Sequence, residues 1–207
     1  MSRRSIIAGR LIPCIGLVAL VVVGCGNDDD SAPVHHSSTT PAISTSAATS
    51  IAPAGTFNDA DVTFLQMMYP HHEQAVQMAE LVPSRSQDQQ VIDLAAGIKA
   101  AQQPEMTQIQ SLLASAGKPD PAAGGAMNHD MPGIMSPEQM SSLEAMSGPE
   151  FDKMWLQMMI DHHRGAVEMA QTEITSGTNP QAKQMAETIV ATQQQEIAQM
   201  ETLLGQK

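Results

Sequence analysis

Phe64-Leu65-Gln66-Met67-Met68-Tyr69-Pro70-His71-His72 returns 91 residues later as Trp155-Leu156-Gln157-Met158-Met159-Ile160-Asp161-His162-His163. The register holds without a gap through Ala75-Val76 and Ala166-Val167, then Met78-Ala79 and Met169-Ala170. It continues through Gln102-Gln103 and Gln193-Gln194, Glu105 and Glu196, and Leu112-Leu113 and Leu203-Leu204. Of the 50 aligned positions from Phe64 to Leu113, 20 are identical. Self-similarity at a fixed offset marks a duplicated structural unit. In the first copy Leu94, Ile98, Ala101, Ile109 and Leu112 keep helical spacing, so each copy reads as a helical hairpin.

Capping signals set the expected boundaries. Asn58 opens a first helix that stops near Pro83, and a second runs from about Asp88 to Ala116 with Gly117 beyond. Pro149 in a first turn opens a third helix ending at Gly177. Asn179-Pro180 opens a fourth that reaches Leu204. Pro70 and Pro104 fall inside helices and should bend or delay them. Between the hairpins, Lys118 to Gly148 is far longer than an ordinary bundle loop. Ser136-Pro137-Glu138-Gln139 caps one short helix there, ending near Met146. A link of this length permits a crossover, giving an all-α, ferritin-like four-helix bundle of two duplicated hairpins. The first and third helices are then antiparallel, and their mid-helix histidine pairs can converge.

The repeats span about 57–117 and 148–207, within a domain covering 57–207. The residues before it read differently. Arg3-Arg4 followed by the apolar run Ile6–Val23 predicts a signal peptide over 1–24. Val22-Val23-Gly24-Cys25 resembles a bacterial lipobox, which implies cleavage before Cys25 and lipid on its sulfur. Residues 25–56, rich in Ser, Thr, Ala and Pro, predict a disordered tether. Cys14 leaves with the leader, so the mature chain has neither free thiol nor disulfide. The whole sequence has a net charge of −12. Loss of Arg3, Arg4 and Arg10 leaves 7 basic against 22 acidic residues, or −15. Such a balance argues against nucleic acid and attracts cations over distance.

On a helical wheel, Met68, His72, Ala75 and Met78 fall within about 100° of His71. Gln66, Glu73, Gln77 and Glu80 take the opposite side. Both histidines therefore share the apolar face with Met68 one turn away, and Met159-x-x-His162-His163 repeats the arrangement. Met67 and Met158 border that face. Neutral imidazole and soft thioether favour copper, above all Cu(I), over hard cations. Zinc on histidine alone is also compatible with these residues. A core pair of hydrogen-bonded histidines with methionine as filler is the plainer reading of either repeat alone; the duplication favours metal. No histidine has Glu three residues before it, which removes the carboxylate di-iron motif. His72-Glu73 lacks the second histidine of a zinc-protease helix. Met127, His129, Met131 and Met135 in the link resemble a flexible copper-collecting segment, and equally a polar loop that contains methionine.

The doubled Met-Met-x-x-His-His-x-x-Ala-Val-x-Met-Ala pattern resembles the domain-of-unknown-function 305 family over about Phe57 to Lys207. That resemblance implies a ferritin-like bundle, often exported, with copper binding in some members. It maps onto Met67, Met68, His71, His72 and Met78, and onto Met158, Met159, His162, His163 and Met169. The expected function is an envelope-anchored protein that sequesters or transfers copper, held through Cys25 on the outer face of the cell membrane or another envelope membrane. A helical module for an envelope partner or lipid is the alternative, and a copper-dependent oxidoreductase comes third; no catalytic residue stands out. Replacing Cys25 with Ser should move the protein from the membrane to the soluble fraction. An intact mass showing unmodified Cys25 in the native cell would overturn the anchor.

Overall fold

Asn58 and Asp61 start the folded chain by capping each other. The Asn58 side chain accepts from the Asp61 N–H, and the Asp61 carboxylate accepts from the Asn58 N–H. This reciprocal pair satisfies two otherwise unpaired donors of the first turn. The computed structural model describes residues 55–123 and 131–206, all within one compact unit, Thr49–Lys207. Leader, lipobox, the tether as far as residue 54, Met127 and His129 lie outside the described residues.

Helix α1 is Asp59–Arg85 and α2 is Gln89–Ser115, the latter capped by Asp88. A short α3, Pro137–Glu144, follows the Ser136–Gln139 capping box. Then come α4, Gly148–Ser176, and α5, Pro180–Leu204, capped by Asn179. No strand occurs among the described residues. The architecture is the all-α bundle of two hairpins, α1–α2 and α4–α5, joined by a long link. One boundary differs from expectation: α1 continues past Pro83 to Arg85. Pro83 removes one N–H and crowds the preceding turn, yet the Ser86 N–H still closes on the Val82 carbonyl.

Contacts between α1 and α4 run in opposite chain directions. The start of α1 meets the end of α4, where the Asn58 side chain donates to the Ser176 carbonyl. The end of α1 meets the start of α4, where the buried Trp155 donates its Nε1–H to the Met78 carbonyl at 3.0 Å. The two helices are therefore antiparallel, as the long link permits. Their packing divides the core into two apolar clusters. One contains Met78, Val82, Trp155, Leu156 and Met159. The other contains Phe64, Leu65, Met68, Met169 and Ile189.

The link is seated on this bundle by backbone contacts. The Gln74 side-chain amide pairs with both the N–H and the carbonyl of Met135. Gly133, at φ +76°, lies against the Asp161 and His162 carbonyls, and a Cβ on Gly165 would fall on the Pro132 carbonyl. Only glycine at both positions lets the two backbones approach this closely. Gly165→Ala should therefore cost about 1–3 kcal/mol, the range for overpacking. Gly97, exposed in α2 with nothing near its Cβ position, provides the contrast. Gly97→Ala should stabilise by about 0.4–1 kcal/mol. Urea denaturation of the two variants measures both signs.

Asp61 also accepts from the Thr178 and Asn179 N–H groups and the Thr178 hydroxyl. Burial pushes its carboxyl up, but the hydrogen bonds from Asn58, Asn179 and Thr178 prevail and hold it below the usual range. Glu173, 1% exposed, lies beside it with no donor for its own oxygens. Burial first, then Asp61, pushes the Glu173 carboxyl up to about 8. Once protonated, Glu173 has a proton to donate to the neighbouring Asp61 carboxylate. A raised folded value contributes stability that is full below pH 4.5 and lost as pH rises through 8. Glu173→Gln keeps a neutral donor, so its stability relative to wild type should rise steadily between pH 5 and pH 8. Parallel pH dependences in paired denaturation curves would overturn the shared proton.

Candidate metal centre

Mid-helix positions on α1 and α4 bring the two histidine pairs together. His71, His72, His162 and His163 are all at most 1% exposed. The His71 and His162 rings touch, with centroids 3.8 Å apart and planes at 39°. His162 and His163 lie 6.3 Å apart by ring centroid. These rings lie between the start-to-end contacts of α1 and α4.

Burial decides the charge of His71 and His162. It pushes His71 down to about 3, helped by the neighbouring His72 and His163 and opposed by the Pro132 carbonyl. It holds His162 well below the ordinary histidine value, with His71, His163 and His72 adding to the effect. Both rings are neutral at any physiological pH, so each carries one nitrogen with a lone pair.

Hydrogen bonds identify the protonated nitrogen on three of the four. His71 donates Nε2–H to the Pro132 carbonyl at 3.0 Å. His72 Nε2 pairs with Glu105 Oε2 at 2.7 Å, and His163 Nε2 with Glu196 Oε2 at 2.8 Å. Nδ1 of all four rings is buried without a hydrogen-bond partner, as is Nε2 of His162. The His71 backbone lies near His162 but outside hydrogen-bond geometry. Buried polar atoms in folded proteins are nearly always paired. Five unpaired imidazole nitrogens in one layer are a chemical surplus that a plain hydrogen-bonded core pair does not account for.

The methionines flank this layer. Met68 and Met169 belong to one apolar cluster, and Met78, Met158 and Met159 to the other. Antiparallel packing thus sets Met68 of one repeat with Met169 of the other, and Met78 with Met159. Met67 is half-buried and, with Met169, Glu168 and Pro132, lines a groove of about 400 Å³. Met131 and Met135 are each 5% exposed. The contacts of Gln74 and Gly165 hold this end of the link against the bundle.

Glu105 and Glu196 are the residues that sequence reasoning missed as site components. Each follows its histidine by 33 residues and sits on the partner helix of its own hairpin. The signal was present, since both are identical across the repeats, but periodicity within one helix cannot show what a neighbouring helix presents. One turn before each lies a buried glutamine, Gln102 or Gln193. Among the described residues no group of three or more His, Cys, Asp and Glu side chains is already gathered as a metal site. The unpaired imidazole nitrogens, with thioether sulfurs on either side, are donors that suit a soft ion.

Comparison with known proteins agrees with the doubled motif. The domain of unknown function DUF305 matches residues 61–204. A DUF305 fragment from Deinococcus radiodurans is 31% identical, with a TM-score of 0.67 over 73% of this chain and 99% of that one. A DUF305 protein of Streptomyces coelicolor, assigned as secreted, is also 31% identical, with a TM-score of 0.65 over 71% of this chain and 93% of that one. CopM in its Cu(II)-bound form is 27% identical, with a TM-score of 0.62 over 70% of this chain and 96% of that one. CopM also has Cu(I)-bound, silver-bound and apo structures. No curated protein matches the chain. With the family match over most of its length, its doubled histidine–methionine motif and its helical architecture, the chain belongs to the DUF305 family.

Proposed function

We propose that this protein binds a soft metal ion, copper above all, in the histidine layer, and sequesters or transfers it at the cell envelope. The observation that carries the reading is the set of buried, unpartnered imidazole nitrogens shared by the two repeats. His71, His72, His162 and His163 would hold the ion, with Met68 and Met159, and Met78 and Met169 behind them, as thioether ligands. Every one of these groups is neutral when it ligates. Thioether sulfur is a soft donor that prefers a soft ion. The layer therefore favours Cu(I) over Cu(II) or Zn(II). The copper- and silver-bound forms of CopM support a soft-metal role within this fold.

Export and anchoring through Cys25 belong to the same proposal. They rest on the lipobox pattern and on the secreted assignment of the Streptomyces coelicolor relative. Among the described residues no helix is long and apolar enough to cross a membrane. The alternative, a module for an envelope partner, draws on the groove lined by Phe64, Met67 and Met169. The metal test separates the two readings.

An ion bound only by the folded state stabilises it by about 2.7 kcal/mol at a free concentration 100 times Kd. Cu(I) and Ag(I) should each raise the melting temperature of the full chain, and Zn(II) should do so less. His162 makes no hydrogen bond, so His162→Leu removes unpaired atoms without orphaning a partner. It should leave the metal-free protein as stable or up to about 1–3 kcal/mol more stable while abolishing most of the metal response. Met68→Leu with Met159→Leu conserves volume and should weaken Cu(I) more than Cu(II). A wild-type melt indifferent to Cu(I) and Ag(I) would refute metal binding and leave the interaction module.

A further inference from the structure

Two carboxylates stand where a simple histidine layer does not need them. Glu105 lies on α2 and Glu196 on α5, with side chains 19% and 15% exposed. Both could be solvated, yet each turns to a fully buried ring, at 2.7 and 2.8 Å. The contact involves the same nitrogen, Nε2, in both repeats, while Nδ1 of the same rings has no partner. A carboxylate oxygen accepts, so the ring nitrogen facing it carries the proton. The other nitrogen of a neutral ring must then hold the lone pair.

We propose that Glu105 and Glu196 are positioning residues for the metal: each fixes its histidine, His72 or His163, as the Nε2–H tautomer and so makes Nδ1 the ligand atom. The inference rests on the metal-binding reading above. Its physical basis is general. A carboxylate on the far nitrogen locks ring orientation, raises the basicity of the ligating nitrogen, and offsets part of the charge brought in by a cation. His71 is fixed in the same sense by the Pro132 carbonyl, a neutral acceptor that gives orientation without charge. His162 has neither. The four ligands thus fall into three grades: two backed by carboxylate, one by a carbonyl and one unconstrained. The ring of His162 is then the one held by packing alone, against His71.

The purely structural alternative is that the glutamates only satisfy a buried N–H. Nitrogen-15 NMR of the metal-free full chain reads the tautomers directly, and Ag(I) titration, free of redox change, reads affinity. In wild type His72 and His163 should both be Nε2–H. In Glu105→Ala with Glu196→Ala the tautomers should mix and Ag(I) affinity should fall about 10–100-fold. Glu105→Gln with Glu196→Gln retains an acceptor oxygen without charge. It should restore the tautomer, keep the fold if the alanine pair loses it, and show an affinity between the alanine pair and wild type. Nδ1–H tautomers in wild type overturn the proposal, as does Ag(I) affinity in the glutamine pair equal to wild type. Wild type that binds no Ag(I) overturns the metal reading itself, and this inference with it.

Discussion

Four imidazoles meet inside the bundle, each at most 1% exposed. For His71 and His162, which no carboxylate faces, protonation would bring the desolvation cost of a buried cation and the repulsion of neighbouring rings. Those two rings are therefore neutral, and neutrality gives each a lone pair inside the core. Everything that positions the layer follows from keeping those rings buried. The long link lets α1 and α4 run antiparallel, which superimposes the middles of two copies of one helix. Trp155 on Met78 ties one end of that pairing and Asp61 on the α4–α5 turn ties the other. The apolar clusters on either side then hold the polar layer in register.

Duplication makes the layer nearly two-fold, and the link breaks the symmetry. Gln74 and Gly165 are equivalent positions in the two repeats, yet they serve one segment in opposite ways. Gln74 grips Met135 through its amide, while Gly165 yields space to Pro132. As a result His71 has a carbonyl partner and His162 does not. The same divergence appears at the bundle end, where Glu173 stands at the position matching Val82 and places a second acid beside Asp61. Copies that begin equal thus acquire different duties once a single chain must pass over only one face. The layer therefore holds two equivalent carboxylate-paired histidines and two inequivalent others.

Much of this was legible in the residues. The ungapped offset identified the hairpins, and Asn58, Asp88, Ser136 and Asn179 marked helix starts within a residue, because N-caps are local chemistry. The inward face of the histidines followed from helical periodicity. Proline was less informative. Pro83 marks the neighbourhood of an end but not its position, since losing one N–H does not end a helix whose neighbours stay packed.

By itself, the sequence determined the duplicated hairpins, the helix starts, the apolar face that carries His71, His72, His162 and His163, and the acidic character of the chain. These depend on spacing along one helix and on residue type. Tertiary structure decided which nitrogen of each ring is spoken for, that Glu105 and Glu196 reach the histidines, that Met131 and Met135 are buried, and that His162 stands without a hydrogen bond. Those facts depend on what a neighbouring helix or a returning link presents across a few ångströms. Hydrogen bonds are directional and short-ranged, so an identical pair such as Glu105 and Glu196 shows that a position matters and leaves its partner to be found in space.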